Sequence, residues 1–314
     1  MRASVQTRSP QSLVHSLASA LRDLMPSVRT ADIEGVHQAR VTTRRLREVL
    51  PLLSRDGEAA VALDTLKRLG RALGVVRELD VLDGSLAELE PRATFAGSTI
   101  AEARRQLRRD VTLARRKMIK TIEGLELECI ARVKVAGRRS VVPFFGRATW
   151  RQHLEKQLVS RSLAVGDACH RAATVYMPNR SHAARIAIKR LRYSVEIAHE
   201  TALWRPPRLL KDLRRVQESL GEIHDRQMLV ERLDRLPTAI DDAPPVAWLT
   251  DLLRAEIDVR HRAFLAAISR LDAAIVACQH WAGHRTGRWY AQPTLLWPAA
   301  AVLVAPILLT HGTD

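Results

Sequence analysis

Residues 37–47 read His37-Gln-Ala-Arg-Val-Thr-Thr-Arg-Arg-Leu-Arg47, and residues 182–192 read His182-Ala-Ala-Arg-Ile-Ala-Ile-Lys-Arg-Leu-Arg192. The two segments match at the histidine, at the basic positions and at the leucine, with an offset of 145 residues. Segments that return in the same order at one offset are typical of an internal repeat. We therefore predict that the chain is a duplicated unit.

Two further pairs of segments repeat at nearly the same offset, and the second pair is the weaker one. They are Leu73–Gly74 with Glu78 against Leu220–Gly221 with Asp225, and Arg109 with Arg115–Lys117 against Arg254 with Arg260–Arg262. The predicted division is a first repeat over 1–136, a linker over 137–147, a second repeat over 148–281 and an apolar tail over 282–314.

The pattern of apolar residues predicts helices throughout. Leucine and alanine recur at spacings of three and four, and no alternating strand pattern or hairpin signal is present. Helix breaks are expected near Pro26, Asp56–Gly57, Gly84, Pro91, Gly137–Gly146, Pro178, Pro206–Pro207, Pro237 and Pro244–Pro245. The fold class is therefore predicted to be all-α, with about four helices in each repeat.

The charge of the chain indicates an acidic partner. The sequence holds 50 Lys+Arg against 34 Asp+Glu, with a formal net charge of +16, and most of the basic residues are arginine. Arginine suits phosphate because its planar fork donates two hydrogen bonds at once. Nucleic acid, a phosphate polymer or an anionic surface would fit. Aromatic residues make up only 4% of the chain, which offers few rings for stacking single-stranded bases.

Cysteine usage and the two ends of the chain bear on location. Cys129, Cys169 and Cys278 are far apart and form no CxxC pair, so a reducing cytosol is expected. The first 25 residues lack the apolar core of a signal peptide. Residues 295–309 are apolar but are interrupted by Pro298 and Pro306, and the run is shorter than a spanning helix needs. We expect this tail to dock on a hydrophobic surface, with membrane or granule contact as the alternative.

The repeated segment carries a basic stripe at the edge of its apolar face. On a helix, His37, Arg40, Arg44 and Arg47 fall within about 80° of one another at 100° per residue. Neighbouring cations at this spacing repel each other. Because the stripe borders the core and occurs twice, it favours an anionic ligand over a solvated charged surface.

The other candidate basic residues fall into three groups: a second copy of the stripe, two residues beside the stripes, and a basic face on another helix. The second repeat carries the stripe as His182, Arg185, Lys189 and Arg192, while Arg45 and Arg190 lie off the stripes. Another helix aligns Arg105, Arg109, Arg116 and Lys120 within about 60°, and Arg254 and His261 correspond to Arg109 and Arg116. An ordinary solvated surface is the alternative interpretation of this further face.

Enzyme motifs are absent from the sequence. There is no glycine-rich nucleotide loop, nucleophile elbow or zinc-protease motif. His224 and Asp225 are adjacent, so their side chains point to different sides of a helix. A metal held by His37 and His182 would need further carboxylate or histidine ligands, whereas the stripes supply arginine. We therefore predict no catalytic residue, no metal and no cofactor.

On these segments the chain resembles the CHAD family, the conserved histidine α-helical domain. The resemblance rests on His37-x-x-Arg40-x-x-x-Arg44-Arg45-Leu46-Arg47, on His182-x-x-Arg185-x-x-x-Lys189-Arg190-Leu191-Arg192-Tyr193 and on segments 73–82 and 220–229, and it spans roughly residues 10–280. It implies two four-helix bundles related by pseudo-twofold symmetry. It also implies a basic surface or channel between them that binds inorganic polyphosphate without catalysis. Some family members are associated with polyphosphate or polyester storage granules.

The expected ligand is therefore inorganic polyphosphate, with nucleic acid or a granule-associated scaffold role as alternatives. The expected binding residues are His37, Arg40, Arg44, Arg45, Arg47, Arg105, Arg109, Arg116, Lys120, His182, Arg185, Lys189, Arg190, Arg192, Arg254 and His261. A cytoplasmic location with granule association would fit.

Two departures from the family pattern stand beside these residues. The second repeat has His224-Asp225-Arg226-Gln227 where the first has Arg77-Glu78-Leu79-Asp80, so the local ion pairs are expected to differ. Glu48 lies next to the first stripe, where its charge would weaken phosphate contact.

Overall fold

The computed structural model describes residues 9–53, 57–133, 150–174, 176–236 and 243–286. Over these residues the chain forms helices and turns without a strand, which confirms the all-α prediction. The helices are α1 Pro10–Arg29, α2 Ile33–Leu53, α3 Gly57–Leu89, α4 Gly97–Glu123, α5 Glu128–Arg132, α6 Trp150–Thr174, α7 Pro178–Glu200, α8 Pro207–Leu233 and α9 Ala243–Thr286. Two 3-10 turns, Glu90–Arg92 and Thr94–Ala96, connect α3 to α4. None of the described helices has the length and hydropathy needed to cross a bilayer.

Local capping residues set several helix starts. The Ser9 side chain accepts a hydrogen bond from the Ser12 amide at 3.1 Å, which satisfies a free donor at the start of α1. The Asp32 carboxylate does the same for the Gly35 amide at 2.7 Å, at the start of α2. Pro178 and Pro207 open α7 and α8, where a missing amide proton costs nothing.

Two expected helix breaks differ from the structure. α3 continues through Gly84 to Leu89, because one glycine costs only about 1 kcal/mol while Leu82 and Leu86 are buried on either side of it. α1 likewise continues past Pro26 to Arg29, whereas α9 begins at Ala243, next to the break expected at Pro244–Pro245. α9 also includes residues 282–286 of the expected tail. The expected linker and the rest of the tail lie outside the described residues.

The helices pack in chain order within each half. In the first half α1 packs on α2, α2 on α3 and α3 on α4, while the short α5 lies against α1 and α3. In the second half α6 packs on α7, α7 on α8 and α8 on α9, and α9 returns to α6 to close a four-helix bundle. The histidine-bearing helix is the second in each half, which is consistent with a duplicated unit.

One apolar core runs through both halves. It includes Leu50 of α2, Leu191 of α7 and Phe264 of α9, all fully buried. A smaller cluster joins the end of α3 and the start of α4 to the end of α8 and the start of α9, with Leu86 and Leu229 among its members. Since a buried leucine contributes about 1.5–3 kcal/mol, these shared clusters hold the two halves together.

Helix contacts and ion pairs define the junction between the halves. α2 contacts α6 and α7, and α3 contacts α8. Arg45 pairs with Glu200, Arg161 with Glu48 and Arg232 with Asp110, and each pair links one half to the other. The two helices that carry the histidine-led stripes therefore meet at this junction.

A candidate polyanion-binding cluster

Four cations from α2 and α7 converge at the junction, and we call them the cationic cluster: Arg40, Arg44, Arg185 and Lys189. Arg40 interacts electrostatically with Arg44 and Arg185. Lys189 interacts with Arg44, Arg185 and Arg40 in the same way, so the two halves contribute to one site. All four side chains are partly buried. The structure thus brings the central residues of both predicted stripes together.

Burial and repulsion from neighbouring cations disfavour the charged form of Arg40, Arg44 and Lys189. Burial, followed by the charges of Arg44 and Arg185, lowers the pKa of Lys189 to about 6. Burial and then Arg44 lower the pKa of Arg40 to about 10. Like charges brought together out of water cost free energy unless an anion compensates them. The cluster is therefore suited to an anion that touches several cations at once.

Tyr193 contacts Arg44, one of the arginines of the cluster. Its side chain is buried, and its hydroxyl oxygen accepts a hydrogen bond from Arg44, which works against the burial that lowers the pKa of Arg44. The Arg192 guanidinium lies 4.6 Å from the centre of the same ring. Glu48 occupies the matching position of the first repeat. Its carboxylate is engaged by Arg161, so this ion pair offsets the negative charge that the sequence places beside the stripe.

The histidines lie beside the cluster. The His182 ring is 4.9 Å from the ring of His224 on α8. Burial, then the charges of Arg185 and His182, lowers the pKa of His224 to about 4. Burial also lowers the pKa of His182 and of His37, with Arg77 as the next cause for His37. The lowered pKa of each ring favours its neutral form.

Two carboxylates stand next to the cations. Glu78 of α3 interacts with Arg40 and with His182 of the other half. Asp225 of α8 interacts with Arg185 and also with Glu78, and burial raises its pKa. Both residues belong to the repeated Leu-Gly segments. Each one partly neutralises the arginine of its own half, which lowers the repulsion within the empty cluster.

Sequence reasoning missed several of these neighbours as site residues. Arg77, Glu78, Tyr193, His224 and Asp225 were visible in the repeated segments but were not assigned to binding. For Arg77, Glu78, His224 and Asp225 the signal that could have found them is the repetition of the Leu-Gly segments, whereas Tyr193 has Glu48 at its matching position and is not marked by the repeat. Residues at matching positions of α3 and α8 face the same junction as the stripes.

The outer residues of the stripes are less central. Arg45 is engaged by Glu200. Arg192 donates to Gln217 at 2.8 Å and to Glu196 at 2.7 Å. Arg47 and Arg190 are exposed. A ligand that reaches these four positions would have to extend beyond the cluster.

The further basic face is not brought into the cluster. Arg105, Arg109, Arg116 and Lys120 are exposed on α4, which packs on α3, whereas the cluster lies where α2 meets α7. Arg105 pairs with Glu102 at 2.7 Å. Arg254, on α9, is exposed and pairs with Asp251 at 3.4 Å. These residues form surfaces of their own.

His261 differs most from its expected role. It is 7% exposed and packs on Tyr176 at 4.9 Å and on Phe264 at 5.9 Å between ring centres. Its Nδ1 atom has no hydrogen-bond partner in the structure, and burial lowers its pKa. A side chain enclosed in the second bundle cannot contact a ligand at the surface, so we remove His261 from the candidate site.

A metal site is not supported by the described residues. Among them, no group of three or more histidine, cysteine, aspartate and glutamate side chains is placed to hold an ion. The ring nearest to His182 is His224, and the surrounding charges are cations. Cys169 and Cys278 are buried thiols whose pKa is raised to about 12 by burial.

Over the described residues, the fold is all-helical and its two halves bring four basic side chains together at one junction. The CHAD domain family model matches residues 12–234, more than two thirds of the chain. The protein therefore belongs to the CHAD domain family. The matched range ends before α9, short of the residue 280 expected from the motifs.

Two curated relatives match most of the chain at low identity. The chain is 25% identical over 268 residues to the uncharacterized proteins MT2285 and Rv2226 of Mycobacterium tuberculosis strains CDC 1551 and H37Rv. The alignment covers 79% of this chain, which spans about half the length (50%) of these curated relatives.

Two solved structures share the fold. PptA from Streptomyces chartreusis superposes with a TM-score of 0.61 at 18% identity, over 83% of this chain and 98% of that chain. The CHAD domain from the plant Ricinus communis gives 0.53 at 21% identity, over 85% and 90%. At these identities the likeness concerns the fold.

Proposed function

We propose that the protein binds inorganic polyphosphate, or a similar phosphate-rich polyanion, without catalysing its reaction. The observation that carries this proposal is the convergence of Arg40, Arg44, Arg185 and Lys189 from both halves. Membership of the CHAD family supports the choice of polyphosphate, because the family resemblance implies that ligand. The cytoplasmic location and the contact with storage granules stay predictions.

The cluster suits a linear polymer better than a single phosphate. Each arginine can bind one phosphate group through two parallel hydrogen bonds. A polymer that contacts one half brings its next phosphates close to the other half, so the later contacts cost little further entropy. Release of counterions makes such binding fall steeply with salt concentration.

Several features favour binding over catalysis. The imidazole of His182 packs against the ring of His224 at 4.9 Å between ring centres, and the cations Arg185 and Lys189 lie beside it. Three of the four basic groups of the cluster are arginines, which do not exchange protons near neutral pH. Incubation with polyphosphate should therefore release no orthophosphate, and release in proportion to the protein would contradict this part of the proposal.

The direct test is titration with short and long polyphosphate, followed by competition with excess duplex and single-stranded DNA. We expect the double variant Arg44→Glu/Lys189→Glu to bind at least about 100-fold more weakly, because two charge-assisted contacts become repulsive. Far-ultraviolet circular dichroism should show wild-type helicity.

The matched control is Arg22→Glu/Lys156→Glu, which makes the same charge change at exposed positions on α1 and α6. This variant should bind nearly as well as the wild type. Equal loss in both double variants would mean that net charge alone governs binding. Equal competition by DNA would favour a nucleic-acid ligand, and loss of helicity in the cluster variant would mean that the cations are structural.

A further inference from the structure

Each half carries a glycine inside a long helix beside the cluster. Gly74 lies in the middle of α3, and Gly221 lies within α8, each directly after a buried leucine. Glycine is one of the least favourable residues in a helix interior. Both residues have ordinary helical backbone, so no left-handed conformation requires them. Their presence needs another cause.

The space beside Gly74 is filled by the Arg40 guanidinium. A Cβ atom built on Gly74 would lie less than 3.0 Å from Arg40 Nη1, 3.4 Å from its Cζ and 3.7 Å from its Nη2. Arg40 Nη1 also donates to the carbonyl oxygen of Gly70, one turn earlier on α3, at 3.4 Å. The guanidinium therefore rests against the bare backbone of α3.

We propose that Gly74 is a positioning residue for polyanion binding, because its missing side chain forms the seat that holds Arg40 in the cationic cluster. This inference rests on the proposed function, whose ligand is the probe used below. The seat restricts the long arginine side chain before any ligand arrives. Immobilising such a side chain only on binding costs affinity, so a pre-formed position strengthens binding.

Helix packing does not explain Gly74. The three atoms nearest to an added Cβ all belong to the flexible end of Arg40, and no backbone atom of another element lies closer than the third of them, at 3.7 Å. An alanine could be accommodated if Arg40 alone moved away. The fold therefore tolerates the substitution, whereas the position of Arg40 does not.

The matching glycine of the second half gives a graded comparison. A Cβ atom on Gly221 would lie 3.9 Å from Arg185 Nε, which is ordinary van der Waals contact. Alanine at this position can coexist with Arg185 as it stands. Substitution of Gly221 should thus affect binding far less than substitution of Gly74.

The test compares Gly74→Ala with Gly84→Ala in the same helix, where no atom lies within 4 Å of an added Cβ. Both variants should keep or raise the urea midpoint of unfolding, since alanine favours the helix. Only Gly74→Ala should weaken polyphosphate binding, by about three- to tenfold. Gly221→Ala should stay within about twofold of the wild type.

A double-mutant cycle with Arg40→Met identifies the cause. If the seat acts through Arg40, Gly74→Ala should have no further effect on affinity once Arg40 is replaced. Wild-type affinity in Gly74→Ala, or an undiminished loss in the Arg40→Met background, would overturn the inference.

A ligand-free measurement separates this inference from the proposed function. The Nε–Hε signal of Arg40 in a nitrogen-15 spectrum is the one that Arg40→Met removes. Gly74→Ala should shift that signal, and Gly84→Ala should leave it in place. If the wild type failed to bind polyphosphate, the proposed function would fall, while an unshifted Arg40 signal in Gly74→Ala would overturn the seat itself.

Discussion

Binding of polyphosphate should draw about one proton from solution onto Lys189. Burial, and then the charges of Arg44, Arg185, Arg40 and Arg192 in order of decreasing effect, lower the pKa of this amine to about 6. At about pH 7.5, some 1.5 units higher, only ~3% of the empty protein carries the proton. A bound polyanion would offset the repulsion and return the amine to its charged form.

The direction of the pH dependence follows from this proton count. The complex holds more protons than the free protein between pH 6 and the higher pKa of the complex. Affinity should therefore fall as the pH rises above about 6, by up to about tenfold per pH unit from this group. Below about pH 6 Lys189 is charged in both states and contributes no slope.

Calorimetric titration in buffers of different ionisation enthalpy measures the proton uptake directly. Lys189→Met should take up about one proton fewer than the wild type at about pH 7.5. Lys189→Arg should also lose this uptake, because its charge is permanent, yet it should bind well at high pH. The histidines His37, His182 and His224 can add uptake that is common to all three proteins. Equal uptake by the wild type and Lys189→Met would refute the reasoning.

Two further outcomes test the electrostatics and the core. Glu78→Gln/Asp225→Asn removes two carboxylates that oppose an incoming phosphate, so affinity should rise about threefold or more at low salt, whereas Glu231→Gln on α8 should have little effect. Unchanged or weaker binding would mean that these carboxylates hold the arginines in place. Leu50→Ala empties a fully buried position on α2 and should lower the free energy of unfolding by about 2–5 kcal/mol in urea denaturation. The exposed Val61→Ala should change it by less than about 0.5 kcal/mol, and an equal effect of both would contradict the assigned core.

The helical fold and the centre of the site could be predicted because both are local patterns that occur twice. Periodicity gives the helices, and a stripe at the edge of the apolar face must lie near a packing partner. Arg40 and Arg185 lie at matching positions of two such stripes, so their approach follows once the halves pack through α2 and α7. The pairing of His182 with His224 could not be predicted, since it depends on how α7 packs against α8.

Corresponding positions in the two repeats are not always buried to the same extent, because different helices pack on them. His261 corresponds to Arg116 in sequence, yet Arg116 is exposed and His261 is buried. α4 packs on α3 and leaves the opposite side to solvent, whereas α9 packs on both α6 and α8. The same position therefore faces water in one half and the interior in the other. A duplicated pattern predicts a shared position only where the neighbouring helices are duplicated too.

The shared core explains how the junction tolerates its cations. Apolar clusters that include several buried leucines join the two halves. The ion pairs of Arg45 with Glu200 and of Arg161 with Glu48 also link the halves, next to the stripes. The cationic cluster is therefore not needed to hold the two halves together. Glu78 and Asp225 offset part of the repulsion within the cluster, so under the proposed function a bound polyanion should relieve the remaining repulsion as well as form new contacts. Under the proposed function, affinity depends on charges that both halves supply, and the position of the two stripes at the junction lets one ligand contact both of them.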